Sequence, residues 1–122
     1  MQATDAVTAL EAELDSAYET VTAGQLRLLD VISRCDRDDM WADDGARDYP
    51  QWLACRLGIS TWAARRWIGA AHALPRLPRI AAAFSAAALS IDKVVELCRF
   101  ATPETETRLV SWARRVTAAT VA

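Results

Sequence analysis

Residues 49–74, YPQWLACRLGISTWAARRWIGAAHAL, decide the fold, because two short helical patterns meet here across a turn of fixed length. Asp48 is placed to cap the first helix, Gln51 stands three residues on as its reciprocal capping-box partner, and Pro50 falls in the first turn, where a missing N–H costs nothing. Tyr49, Trp52, Leu53 and Leu57 recur at helical spacing. Gly58 can take the positive φ that ends a helix, Ile59 can plug the angle between helices, and Ser60 can cap the next one. The pattern predicts a helix-turn-helix.

In the second helix, predicted over 61–74, Ala63, Trp67, Ala70, Ala71 and Leu74 share one stripe, while Thr61, Trp62, Arg65, Arg66 and Gly69 fall elsewhere. A recognition helix needs that division: an apolar stripe to hold it, and small polar or basic groups near its N-terminus to meet phosphates and base edges. The planar fork of arginine suits both targets. Arg65 is expected at a base edge, and Arg66 at a flanking phosphate or an acid such as Asp44. Arg56, Ser60, Thr61, Trp62, Arg76 and Arg79 complete the expected contact set with double-stranded DNA. The competing reading is an ordinary helix pair with a solvated arginine pair.

The 122 residues suffice for one domain with a real core, and 52% apolar with 25% charged residues is a globular composition. The net charge of −2 hides a division. Residues 1–48 carry 12 acids and 4 bases (−8), whereas residues 49–122 carry 4 acids and 10 bases (+6). A basic body with an acidic element attached is the implied organisation. Cys35, Cys55 and Cys98 have no companion Cys or His at metal-ligand spacing, which predicts reduced, mostly buried thiols, a cytoplasmic location, and neither metal nor cofactor. The alanine-rich run from Ile68 is interrupted by His72, Pro75, Arg76, Pro78 and Arg79, so no membrane span is expected.

Before the decisive stretch, Val7, Leu10, Leu14, Tyr18 and Val21 recur at three- and four-residue steps, and the pattern continues through Leu26, Leu29 and Ile32. Residues 1–37 therefore read as one long or slightly broken acidic helix, an arm whose partner is either the rest of the domain or the same helix of a second chain in a homodimer. Residues 38–122 read as the helical domain proper. The run from Asp36 to Asp48 lacks the alternation and closing Glu of a calcium loop and is expected to be a solvated linker with Trp41 packed on the bundle. Further on, Ile80, Ala83 and Phe84 mark a helix near 79–87, Ser90 caps one over 91–100, and Thr102 and Pro103 open a last helix running toward Thr120. All the punctuation is helical, so the fold class is all-α, a multi-helix bundle. The alanine-rich end at residue 122, without a helix stop, points to a longer parent chain.

Two resemblances rest on these residues. The DGAR before the first short helix, W-L-x-x-R-L-G-I-S, the following A-R-R, the A-L-S turn and the T-P-E start resemble domain-of-unknown-function family 222, the N-terminal domain of actinobacterial HNH-endonuclease-signature repeat proteins. The order of L-x-x-R-L-G-I-S, an arginine-bearing helix, a proline break and A-L-S is also similar to the helix-turn-helix of ParB-type partition proteins, with Trp62 where a small residue is usual. The first resemblance implies a DNA-binding module beside a separate nuclease domain. That nuclease chemistry needs histidines around a metal ion. This chain carries one histidine, His72, and no phosphate loop or nucleophile motif, so the chain itself is expected not to be an enzyme. The alternative function is a protein-interaction or dimerisation module without DNA binding, to which the acidic arm and five tryptophans point.

Overall fold

The computed structural model describes residues 2–39, 41–42 and 45–122. Among them are seven α-helices and no strand: α1 (Gln2–Arg37), α2 (Tyr49–Leu57), α3 (Thr61–Ala73), α4 (Pro78–Ser85), α5 (Ile91–Leu97), α6 (Glu106–Ala113) and α7 (Ala118–Val121). The all-α reading is correct. α3 occupies the centre, against α1, α2 and α5, and α4 joins α1 to α6.

α1 is a single helix of 36 residues, about 54 Å at 1.5 Å per residue. Its two halves differ completely in environment. Residues 3–21 are exposed on every face, including Val7, Leu10, Leu14, Tyr18 and Val21. Burial begins at Thr22, which is inaccessible to solvent, and continues at Leu29, Ile32 and Ser33. The second half is anchored from both neighbouring elements: the Tyr49 hydroxyl donates to the carbonyl of Ile32, and His72 Nε2 stands 2.7 Å from Asp36 Oδ2.

The core is built from small and large apolar groups in alternation. Ala64, Ala70 and Ala71 let α3 approach its neighbours closely, and Ile80, Phe84, Leu89, Val94 and Leu97 fill the space beneath. Glu106 enters this core from α6 with 2% of its surface exposed. Its Oε1 accepts from the backbone N–H groups of Arg79 (2.8 Å) and Ile80 (3.1 Å), capping α4 from another element.

Three expectations require correction. Ala70, Ala71 and Leu74 of the expected α3 stripe are buried, but Ala63 and Trp67 are only partly covered, and Ala64 and Ala73 take the remaining buried places. Leu57, expected in the α2 core stripe, is 40% exposed, and Ala54 takes the buried place. The last helix does not run from Thr102 toward Thr120. Thr102–Thr105 form a turn closed by the Thr105 hydroxyl, α6 covers only Glu106–Ala113, and α7 follows separately. Lys93 Nζ donates to the carbonyl of Ala113 at 2.7 Å, fixing the end of α6, and Val121 then folds back into the core. Trp41 packs against the bundle as expected. Asp43 and Asp44 lie outside the described residues, as does the expected contact of Arg66 with Asp44.

Candidate nucleic-acid interface

The unit that presents the exposed basic face is built locally. Asp48 caps α2 by accepting from the Gln51 N–H at 2.9 Å, and Gln51 Oε1 accepts from the N–H of Arg47, one residue earlier than a reciprocal box requires. Gly58 ends α2 with φ of +70°, the left-handed conformation that disfavours any side chain. Two residues later, the Ser60 hydroxyl accepts from the Ala63 N–H at 3.0 Å and starts α3. The connection is therefore three residues long, Gly58, Ile59 and Ser60, and Ile59 is partly buried against the core between the helices.

This geometry exposes the first turn of α3. Ser60, Thr61, Trp62 and Arg65 all face solvent, Trp62 with 63% of its surface. Arg56, near the end of α2, is also exposed and stacks over Trp52, its guanidinium carbon 5.5 Å from the ring centroid. Four of these five residues belong to the cap and first turns of α3, and Arg56 to the last turn of α2. Arg76 and Arg79 are exposed as well, but α3 carries them away: they follow its far end, and its 13 residues amount to about 20 Å. The seven exposed positions thus form one cluster and one outlying pair.

Arg66 stands apart from the other candidates. Its Nη1 donates to Glu96 Oε1 at 3.0 Å, and its guanidinium lies over the Trp62 ring at 4.5 Å. Only 21% of the side chain is exposed. The other oxygen of Glu96 accepts from Arg99 Nη1 at 2.9 Å, so one nearly buried carboxylate holds two arginines, one on α3 and one just past the end of α5. Of the two partners expected for Arg66, a phosphate or an acid, the fold supplies an acid, Glu96, which fastens α3 to α5 beside the Trp62 ring. Arg99, half exposed, is a basic group at this edge that the sequence reading missed. Its pairing with Glu96, three residues earlier, is a local signal, whereas the link from Glu96 to Arg66, 30 residues away, has none.

Two thiols and one phenol complete the chemistry. Cys55 is exposed, whereas burial, with help from Glu106, pushes the Cys98 thiol up to about 12. Tyr49 is raised too, by burial first and then by Cys35 and Asp36 nearby. Among the described residues, no three His, Cys, Asp or Glu side chains converge on a point that could hold a metal ion, and no helix is long and apolar enough to cross a membrane.

Bundle and exposed two-helix unit together define an all-α module that turns the start of its central helix to solvent. The chain belongs to the family described as Domain of unknown function (DUF222), whose profile matches residues 5–122. No curated protein and no solved structure matches it.

Proposed function

We propose that this is a DNA-binding module in which α2 and α3 form a helix-turn-helix and the first turn of α3 enters the major groove. The observation that carries this reading is the exposure of Ser60, Thr61, Trp62 and Arg65 on a helix start fixed by a three-residue turn. The +6 charge of residues 49–122 supplies the attraction to phosphate. Arg65 is assigned to a base edge. Arg56, Arg76 and Arg79, all exposed, are assigned to flanking phosphates. Trp62, braced by Arg66, offers a ring edge for the sugar backbone or a thymine methyl. The family resemblance supports placing the module beside an HNH-type nuclease domain in a longer chain, and the presence of an H-N-H cluster downstream of residue 122 is the check on that part.

The test is titration of labelled duplexes, one genomic and one random, at two salt concentrations. Binding should fall steeply with salt. Arg65→Ala should cut discrimination between the duplexes by about 1–3 kcal/mol, the worth of one bidentate base contact. Arg66→Ala should instead lower thermal stability, since it leaves Glu96 with Arg99 alone. No binding to either duplex at low salt would sink the proposal. Equal loss on both duplexes for Arg65→Ala would refute the assignment of that residue.

A specific observation also favours an interaction role: the apolar stripe of α1 is uncovered along residues 7–21. That surface is separate from the α2–α3 cluster, and the two roles are compatible.

A further inference from the structure

Two unpartnered apolar surfaces of this chain carry opposite charge. The first is the arm, residues 3–21 of α1, exposed throughout. Val7, Leu10, Leu14, Tyr18 and Val21 form its stripe, with between 39% and 68% of each exposed. Glu11 and Glu13 border the stripe, Asp5, Asp15 and Glu19 lie farther round the helix, and no base occurs before Arg27. The second is a groove of about 820 Å³ along α6, floored by Phe100, Leu109 and Trp112. Arg108 and Arg115 stand on its rim with a single acid, Glu104, and Phe100 is 52% exposed. Arg114, the residue just past the end of α6, lines a neighbouring hollow with Arg115.

We infer that the acidic arm of one copy docks its apolar stripe into the arginine-rimmed α6 groove of a second copy, and that the reciprocal contact closes a two-fold dimer. Each surface describes the other: an amphipathic helix flanked by carboxylates fits an aromatic groove flanked by guanidinium groups. The arm cannot serve its own groove, because it is exposed and belongs to an unbroken helix that does not turn back. Pairing of two arms is disfavoured by charge, since each arm carries five carboxylates and no base before Arg27. Every copy has one arm and one groove, so exchange satisfies both surfaces twice and leaves neither open to further growth. None of these residues belongs to the α2–α3 cluster, so the dimer stands or falls independently of DNA binding.

Light scattering and sedimentation of the 122-residue chain test this directly. The wild-type protein should be a dimer at high micromolar concentration. Its association should weaken at least about tenfold between roughly 0.1 M and 0.5 M salt, as exposed charges are screened. The arm variant Leu10→Glu/Leu14→Glu and the groove variant Arg108→Glu/Arg115→Glu alter exposed or rim positions, and circular dichroism should show both folded. Each alone should be monomeric. Mixed in equal amounts, they should associate again, because one intact arm then meets one intact groove. A wild-type monomer at millimolar concentration overturns the inference. So does a groove variant that stays dimeric, a mixture that fails to associate, or association that tightens with salt, the last being the signature of arm-to-arm pairing.

Discussion

Glu106 shows how much a single side chain can hold when it accepts from two backbone N–H groups at a helix start, that of Ile80 buried and that of Arg79 partly buried. Glu106→Ala should destabilise the fold by about 2–4 kcal/mol, one unsatisfied donor costing roughly 1–3. Glu106→Gln, which keeps an acceptor oxygen, should cost less, and urea unfolding orders the two. The thiol and phenol of Cys98 and Tyr49 set the alkaline limit. Both are harder to ionise when folded. Above about pH 9 the unfolded chain releases protons that the folded chain retains, so stability is complete below that value and declines as the pH approaches 12. Unfolding midpoints at about pH 8 and about pH 10 should therefore fall, and the fall should be shallower in Cys98→Ala. At this scale the sequence was legible wherever partners lie within a turn of each other. Asp48 with Gln51 and Ser60 with Ala63 are the instances. It was opaque for Arg66, because a guanidinium gives no sign of whether a phosphate or a distant Glu96 will hold it.

At the level of elements, the α2–turn–α3 unit depends on one backbone conformation and one hydroxyl. Gly58→Ala forces a Cβ into the left-handed region and should cost about 1 kcal/mol or slightly more, with no steric clash to add to it. Ser60→Ala removes the cap of α3 at a cost of about 1 kcal/mol. For a chain of this size each should lower the melting temperature by a few degrees, measurable by calorimetry. Helix starts proved easier to read than helix ends. α2, α3 and α5 begin at their polar caps, whereas the end of α6 is fixed by Lys93, an amine on another helix. The β-branched Val116 and Thr117 weaken helix propensity just beyond, yet that local preference alone did not reveal the break.

For the whole molecule, the division of charge at residue 48 was visible from composition, and it separates an acidic arm and linker from a basic body. What composition and periodicity could not show is that the arm leaves the body. An apolar seam has the same spacing whether it is buried within one chain or between two, and the seam runs without a break from Val7 into Leu29 and Ile32. Removing residues 1–17 should leave the melting temperature of dilute protein unchanged, since residues 3–17 are exposed and the Tyr18 carbonyl that accepts from the buried Thr22 hydroxyl is kept. In concentrated protein the same deletion should abolish any dependence of that temperature on concentration.

The unbroken course of α1 also gives the molecule a shape that its mass does not announce. A compact body of about 100 residues has a radius of gyration near 13 Å, and an arm of about 20 helical residues adds a rod of roughly 30 Å to one side of it. Friction then exceeds that of a sphere of 13.4 kDa, and the monomer elutes early from a sizing column, where it imitates a larger particle. Its tumbling is anisotropic: amide vectors of α1, aligned with the long axis, relax with a slower correlation time than those of helices lying across it. Nuclear spin relaxation thus reads the direction of each helix against the rod.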